Sequence, residues 1–392
     1  MQGAVATTGQ LSPQQKAAQA NAAGRMALLR TGIPMSQVVW NGAALTLGAA
    51  TRLDLLRVGI TTGVMLDFTC SLDITGTMGI SPAGPWPLIN TITYTDFSGV
   101  NRVNTSALGL WLLNTFRHNK LFHIPLTGLA ATTANEIDSV VGSIDTDILT
   151  VPTVIGATEI MYFSIYIPMA YEPASDLRGA VPSMVNVGQH YLTITPAAAL
   201  VNASDVLISP YSAGTATINS SGFTVTVTQF YIQPQSLSAS MLPGIDLTTI
   251  YELNGNNITT SGFLTGAQNL INYPNDRSVM SALFVYENGG ALTLNGADLT
   301  LIELLVNSNT VFRQFTPRTY RAFMRELAIG DVISGCYYMP HRRQPILTNL
   351  YATVQLRLTL GTVNSGTTKL VSQYESFYPS GQPLSGITAN AG

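Results

Sequence analysis

Apolar and polar residues alternate along several stretches of the chain, the pattern of a β-strand with one buried face. The longest stretch covers residues 64–75, where Val64, Leu66, Phe68, Cys70, Leu72 and Ile74 alternate with polar residues and one methionine. The same period of two recurs at residues 161–167, 223–228 and 354–360. Gly, Pro, Asn and Ser separate these stretches, and strands do not alternate with helices. This pattern predicts an all-β fold built from antiparallel sandwiches or barrels.

The amino-terminal region has a different residue composition, which predicts a helix. Ser12 and Pro13 form a helix start signal, with Ser as the N-cap and Pro in the first helical position. Good helix formers dominate residues 14–29, and Gly32 and Pro34 end the helix. The helix has few large apolar residues, and they cluster at its end, namely Met26, Leu28 and Leu29. We therefore expect an arm that docks on something other than its own core.

The length of 392 residues exceeds what a single core usually reaches, so two domains are expected. A stretch rich in Ser and Pro near residue 240 separates two series of strands. We expect a helical arm at 1–36, a first β domain at 37–240, a second at 241–375 and a tail at 376–392. One interior helix is predicted, opened by Thr316 and Pro317 and filled by residues 318–327.

Charged residues make up only 10% of the chain, against about 25% in an average protein. A chain with so few charges tends to associate, which favours a subunit covered by neighbours over an isolated apolar protein. The net charge of −3 argues against general electrostatic binding of nucleic acid. We expect no membrane-spanning helix and no secretory signal, hence synthesis and assembly in the cytoplasm.

The residues capable of chemistry form no recognisable motif. His118 and His123 are five positions apart, which puts them on opposite faces of a strand. Cys70 and Cys336 have neither metal-site spacing nor a disulfide framework, and are interpreted as small buried hydrophobes. We expect no catalytic residue, no metal and no cofactor, and therefore no enzyme.

Two basic features remain. No acidic residue precedes Asp54, so the arm carries only the cations Lys16, Arg25 and Arg30. We expect this arm to face a membrane or a neighbouring subunit, with a hinge at Thr31, Gly32 and Pro34. The second feature is a run of arginines, namely Arg313, Arg318, Arg321, Arg325, Arg342 and Arg343. The sequence leaves open whether they form a solvated face or a surface for lipid phosphates, nucleic acid or a neighbouring subunit.

Several blocks of the chain resemble the tectivirus-type double jelly-roll major capsid protein family and occur in that family's order. The blocks are MYFSIYIPMAYEPASDLRGAV at 161–181, LPGIDLTTIYEL at 242–253, MSALFVYENGGALTLNGADL at 280–299, GCYYMPHRRQPILTNLYATVQL at 335–356 and YESFYPSGQPLSGIT at 374–388. The predicted amino-terminal helix also has a counterpart in that family. Residues 76–158 show no match.

The resemblance implies two eight-stranded jelly-roll barrels with a helical arm and few short helices. It implies a homotrimer of six barrels with a nearly hexagonal outline, which tiles an icosahedral virion shell over an internal membrane. Penton or minor capsid proteins would be partners, and sequence-specific nucleic acid would not. The alternative is a carbohydrate- or receptor-binding jelly-roll spike. Clustered exposed aromatics would favour that alternative, but Trp40, Trp86 and Trp111 are dispersed in sequence.

Overall fold

A computed structural model gives the fold of most of the chain. It describes residues 13–81, 83–117, 149–153, 155–173, 177–185, 188–203, 205, 207–234, 250–259, 263–266, 268–289, 291–292, 298–326, 335–341, 345–364 and 368–377. The predicted boundary near residue 240 lies outside these ranges, as do His118, His123, Arg342 and Arg343.

The described part of the first half contains two helices and eleven strands. The helices are α1 (Pro13–Thr31) and α2 (Ala107–Arg117), with short 3-10 turns at Trp86–Leu88 and Ser183–Val185. The strands are β1 (Ile33–Leu45), β2 (Thr51–Asp54), β3 (Ile60–Ile74), β4 (Gly79–Ile80), β5 (Ile89–Thr95), β6 (Asn101–Thr105), β7 (Leu149–Thr150), β8 (Gly156–Pro168), β9 (Tyr191–Pro196), β10 (Tyr211–Ala213) and β11 (Ala216–Gln233).

The described part of the second half contains one α-helix, α3 (Pro317–Glu326), and a 3-10 turn at Thr348–Leu350. Its strands are β12 (Tyr251–Thr259), β13 (Gln268–Asn272), β14 (Ser278–Asn288), β15 (Ala291–Leu292), β16 (Leu299–Val306), β17 (Thr310–Phe315), β18 (Cys336–Pro340), β19 (Ile346–Leu347), β20 (Val354–Leu360) and β21 (Lys369–Phe377).

These strands form two jelly rolls. In the first roll (β1–β11), a five-stranded sheet in the order β1-β11-β3-β8-β7 is paired with a layer in the order β2-β9-β5-β6. In the second roll (β12–β21), a four-stranded sheet in the order β13-β20-β16-β17 is paired with a layer of β12, β21, β14 and β18. Each roll thus has eight principal strands, and β7 extends the larger sheet of the first roll.

The two rolls share a sheet, which the sequence did not predict. Strand β6 of the first roll pairs in parallel with β12 of the second, at Leu253 opposite Val103 and Asn254 opposite Asn104. The inner layers therefore form one ten-stranded sheet, with β2 at one end and β15, β18 and β19 paired to β14 at the other. The two expected barrels are present, and backbone hydrogen bonds between β6 and β12 join them.

The alternating pattern found in the sequence explains the core. On β3, the side chains of Val64, Leu66 and Phe68 are buried, whereas those of Met65 and Asp67 are partly exposed on the other face. Phe68 stacks on Phe163 of β8 with ring centroids 4.9 Å apart. A single cluster of buried apolar side chains runs through both rolls. Each Å2 of apolar surface buried in such a core contributes about 25 cal/mol, and this burial is the dominant stabilising contribution.

Candidate functional site

Helix α1 is confirmed, and it ends two residues beyond the predicted helix, at Thr31. Its last turn packs on the first roll, because Leu28 is fully buried in a small apolar cluster with Ile60, Leu177 and Ile232. Leu29 lies at the edge of the same cluster. The expectation that the helix has too little apolar surface to dock on its own roll is therefore wrong for its carboxyl end.

Gly32 lies between α1 and β1, and its surroundings require a glycine. Its φ is not positive, so the turn at this position does not need the left-handed conformation that favours glycine. A Cβ at Gly32 would lie 2.2 Å from Cγ2 of Ile232 and 2.6 Å from the carbonyl oxygen of Leu28. The glycine is required because the chain passes too close to β11 for any side chain. The backbone N–H of Gly32 donates to the Leu28 carbonyl at 2.8 Å, which closes the last turn.

A pocket of about 400 Å3 lies beside this connection. Its lining comes from the end of α1, the start of β1 and the adjacent faces of β8 and β11, including Leu29, Pro34, Met35, Tyr166 and Phe230. The proposed hinge residues Gly32 and Pro34 thus line a mostly apolar depression. Their backbone is held against the roll by the packing of Leu28.

The cations of the arm differ in exposure. Lys16 and Arg30 are exposed, whereas Arg25 is half-buried. Helix α1 has no acidic residue in its first turn, and Arg30 lies in its last turn, where a cation is favourable for the helix dipole. The described part of the arm is therefore a cationic helix anchored at its carboxyl end.

The second basic feature lies on α3 and the strand before it. Arg318 and Arg321 are exposed on α3, one helical turn apart, and Arg313 on β17 is partly buried. The Arg313 guanidinium donates to the Pro340 carbonyl at 3.1 Å. Tyr320, on the opposite face of α3, is fully buried, and its hydroxyl donates to the Tyr338 carbonyl of β18 at 3.0 Å. The structure therefore places three of the six predicted arginines on β17 and α3, namely Arg313, Arg318 and Arg321. The side chain of Arg325 lies outside the described part.

A buried ionic network crosses between the rolls and was not predicted. Arg117, at the end of α2, donates to the hydroxyl of Tyr251 on β12 at 2.7 Å. That hydroxyl donates to Oε1 of Glu375 on β21 at 2.8 Å, and the Arg117 Nε lies 3.5 Å from the same oxygen. Ser281 of β14 donates to the other carboxylate oxygen at 2.7 Å. Burial lowers the pKa of Arg117, but nearby Tyr251 and Glu375 outweigh it and raise this pKa.

The described histidines and cysteines are buried. His190 is buried, with Nδ1 3.0 Å from the Tyr94 hydroxyl and Nε2 3.0 Å from the Leu56 carbonyl. Burial raises the pKa of the Cys70 thiol to about 12 and also raises that of Cys336, so both remain protonated. Among the described residues, no group of three His, Cys, Asp or Glu side chains is placed to hold a metal ion.

Two further observations bear on the alternatives. In the part of the chain that the structure describes, no helix combines the length and hydropathy needed to cross a membrane. Trp86 and Trp111, although distant in sequence, stack with ring centroids 4.9 Å apart. Trp86 is buried in the core, so this pair contributes to packing and is not an exposed binding platform.

Two jelly rolls in one chain, with apolar cores and basic surface segments, define the class of double jelly-roll major capsid proteins. Family models assign the chain: the P3 major capsid protein N-terminal model matches residues 14–236, and the P3 major capsid protein C-terminal model matches residues 248–386. The chain belongs to the P3 major capsid protein family. It is a structural protein that assembles with itself into a virion shell.

Solved structures share the fold at low sequence identity. The major capsid protein of Sulfolobus turreted icosahedral virus has 14% identity and a TM-score of 0.62, with 89% of this chain and 98% of that chain covered. VP54 of PBCV-1 has 14% identity and a TM-score of 0.58, with 88% of this chain and 93% of that chain covered. A comparison with curated proteins finds no match. The resemblance to double jelly-roll capsid proteins is confirmed.

Proposed function

We propose that three copies of the chain form a capsomer that tiles an icosahedral shell over an internal membrane. The observation that carries this proposal is the ten-stranded sheet, which fixes two rolls side by side within one chain. Three such chains around a threefold axis present six rolls, and therefore a nearly hexagonal outline that can pack in a plane. The low content of charged residues is consistent with extensive contact between subunits.

The proposed division of the chain keeps an arm at 1–36, a first roll at 37–240, a second roll at 241–375 and a tail at 376–392. The two matched family ranges support a division between residues 236 and 248. The pairing of β6 with β12 joins the two rolls in one sheet.

The arm is proposed to lie at the base of the capsomer and to face the membrane. Its exposed cations Lys16 and Arg30 and its half-buried Arg25 support this role, since each cation near an anionic lipid surface contributes about 1 kcal/mol. A clamp on the neighbouring subunit is the competing role. It would have to rely mainly on Met26, which is exposed, because Leu28 is already buried in its own roll.

Light scattering after size-exclusion chromatography tests the oligomeric state, and a wild-type monomer would refute the proposal. Flotation with anionic vesicles tests the arm. Three cations at about 1 kcal/mol each correspond to roughly two orders of magnitude in binding at low salt, and less at physiological salt. The triple variant K16Q/R25Q/R30Q should therefore remain trimeric and lose most of its binding.

A matched pair of single variants sharpens the vesicle experiment. Lys16→Gln and Arg52→Gln each remove one exposed cation, but only Lys16 lies on the arm. We expect a larger loss of binding for Lys16→Gln, and no binding of any variant to neutral vesicles. Unchanged vesicle binding of a trimeric triple variant at low and moderate salt would exclude the membrane role. Failure of the triple variant to form trimers would identify the arm as a clamp.

Two further classes of partner are considered, namely other capsid proteins and nucleic acid. Penton and minor capsid proteins would complete the shell at positions that a trimer cannot fill. Sequence-specific nucleic acid is not proposed, in keeping with the net charge of −3. The arginines on β17 and α3, namely Arg313, Arg318 and Arg321, are candidates for a contact surface.

A further inference from the structure

A lysine and an aspartate from different rolls meet in a largely buried contact. Lys369, the first residue of β21 in the second roll, donates through Nζ to Oδ2 of Asp205, which lies between β9 and β10 in the first roll. The two side chains are 14% and 10% exposed. Local hydrogen bonds hold the aspartate, since its Oδ1 accepts the Leu207 N–H at 3.1 Å and its own N–H donates to Asn202 Oδ1 at 3.2 Å. The contact therefore joins two side chains across the boundary between the rolls.

The use of lysine in this contact differs from the other buried ion pairs of the chain. Lysine is rare, with three residues among the 18 Lys and Arg. Arginine holds other buried carboxylates, in the pairs Arg102–Asp96, Arg117–Glu375, Arg277–Glu252 and Arg357–Glu303. Arginine suits such pairs because its planar guanidinium stays charged and can bind both carboxylate oxygens. Lysine can lose a proton, and the neutral amine is a nucleophile. Asp205 is thus in contact with a basic side chain that is able to form an amide bond.

A second carboxyl group lies on the same face of the sheet as Lys369. Glu287 of β14 is directly opposite Lys369 in the antiparallel ladder with β21, and it is fully buried. Opposite residues in such a ladder share a face, with Cβ atoms about 4.5–5.5 Å apart. Leu292, opposite Glu287 on β15, and Leu207 both belong to the buried apolar core. An amine and two carboxyl groups are therefore grouped in surroundings with little access for water.

We propose that Lys369 and Asp205 form an amide bond that links the two rolls covalently, with Glu287 as the proton-transfer group. Within the contact, a proton passes from the ammonium to the Asp205 carboxylate, because burial penalises both charges. The Nζ lone pair then attacks Cγ of Asp205, so that an Nζ–Cγ bond forms and a Cγ–O bond breaks. Glu287 takes a proton from Nζ and delivers it to the departing hydroxyl, which leaves as water. No oxidant or reductant takes part.

The fold supplies what this reaction lacks in free solution. An amine and a carboxylic acid condense slowly in water, but holding the two groups in contact gives effective concentrations on the order of 10⁵–10⁸ M. Exclusion of water from the contact also disfavours hydrolysis of the product. The reaction takes place once in each chain, so it is a modification of the protein and not turnover of a substrate.

The amide bond would secure a second connection between the rolls. The backbone pairing of β6 with β12 rests on two residue pairs. Both cysteines of the chain, Cys70 and Cys336, are free and buried, so a disulfide does not supply the link. The bond between Lys369 and Asp205 would tie the start of β21 to the β9–β10 connection, 164 positions earlier in the chain.

The mass of the denatured full-length chain tests the proposal directly. Wild type should be lighter than its sequence by one water, and the linked fraction should rise with incubation at neutral pH. K369R keeps a cation but has no amine nucleophile, and D205A has no carboxyl group, so both should retain their full sequence mass. K16R is the matched control, because Lys16 is exposed on α1, and it should still lose one water. Circular dichroism verifies that each variant is folded.

The variant E287Q tests the proton-transfer group separately. It should form the bond about 10²- to 10⁴-fold more slowly than wild type, which is the usual contribution of general acid–base catalysis. A purely structural role of Glu287 would leave the rate of linkage in the folded variant unchanged. Equal rates in E287Q and wild type would therefore refute the role of Glu287.

Peptide mapping with trypsin locates the bond. Cleavage after a free Lys369 releases residues 370–392, because no later Lys or Arg follows. In the linked chain this peptide should be missing, and residues 358–392 should be joined to residues 179–277, which contain Asp205. A loss of water with normal cleavage at Lys369 would place the reaction elsewhere, as a cyclised aspartate does, and would overturn the proposal.

Two further results would also overturn it. A folded wild type that keeps its full sequence mass after prolonged incubation has only an ion pair between Lys369 and Asp205. A loss of water that persists in K369R does not involve this lysine. The outcome is independent of the proposed trimer, because the bond lies within one chain.

Discussion

The buried pair of Arg117 and Glu375 should be one of the most sensitive points of the fold. Replacing Arg117 by Met leaves the Glu375 carboxylate, which is fully buried, without its cation. At the 3.5 Å between Nε and Oε1, the lost attraction is about 5 kcal/mol for an effective dielectric constant near 20. Mutational experience with broken buried pairs gives a similar range, about 3–5 kcal/mol. We therefore expect Arg117→Met to lower the free energy of unfolding by about 3–5 kcal/mol.

Chemical denaturation at a fixed protein concentration measures this loss, with two optical signals. Trp40, Trp86 and Trp111 all lie in the first roll, so tryptophan fluorescence reports on that roll, whereas far-ultraviolet circular dichroism reports on the whole chain. If the network couples the rolls, the two signals coincide in wild type and separate in R117M, with the second roll unfolding first because it holds the uncompensated carboxylate.

A double variant isolates the role of the charge. In R117M/E375Q the buried side chain at 375 is neutral, so we expect at least half of the lost stability to return. The exposed pair of Arg52 and Asp54 is the control, since R52M should cost less than about 1 kcal/mol. The reasoning fails if R117M lies within 1 kcal/mol of wild type, or if the double variant is no more stable than R117M.

Three further predictions concern packing and pH. Gly32→Ala should loosen the docking of α1 by about 1–3 kcal/mol, seen as faster hydrogen exchange at the end of α1, because its methyl would overlap Ile232. Burial acts to raise the pKa of Asp96, but Arg102, whose Nε lies 2.6 Å from the Asp96 Oδ2, holds this pKa below 3.8. The ionised Asp96 therefore stabilises the folded state above pH 3.8, and this stabilisation is lost as pH falls through the lower folded-state pKa. Asp96→Asn should remove this steep acid loss from denaturation curves recorded between pH 2 and 4. Burial, assisted by Arg313, lowers the pKa of His341 to about 3, so the unfolded chain takes up a proton near pH 6.5 before the folded chain does. Wild type should lose up to about 1.4 kcal/mol per pH unit between these values, and His341→Leu should lose less.

Each of these predictions has a clear contrary result. Gly188→Ala is the control for Gly32→Ala, because its methyl meets no atom closer than 3.4 Å. Equal hydrogen exchange in the two glycine variants would refute the packing argument. If the free energy of unfolding falls as steeply with acid in Asp96→Asn as in wild type, other carboxylates control the loss of stability in acid. Parallel curves for wild type and His341→Leu between pH 7 and 4 would show that His341 is accessible to protons in the folded state.

The sequence predicted those features that depend on local pattern. The alternation at residues 64–75 and the start signal at Pro13 are properties of neighbouring residues, and β3 and α1 are where they were expected. The predicted helix opened by Thr316 and Pro317 is confirmed, and the structure describes it from Pro317 to Glu326. The family resemblance supplied the double roll, which the pattern alone left open between sandwiches and barrels.

Features that depend on distant contacts could not be predicted. The need for glycine at position 32 arises from Ile232, two hundred residues later in the chain. The network of Arg117, Tyr251 and Glu375 unites three separate elements, and each residue in isolation looks like an ordinary surface side chain. The parallel pairing of β6 with β12 rests on only two residue pairs and has no sequence signature.

The position of β21 has a consequence for synthesis. This strand follows all other described strands in the sequence, yet it lies between β12 and β14 in the middle of the shared sheet. During translation, β12 and β14 therefore wait with open edges until β21 has left the ribosome. The second roll cannot close earlier, and Arg117 has no carboxylate partner until then. A chain that ends before β21 would therefore lack the strand that joins β12 to β14 in the second roll.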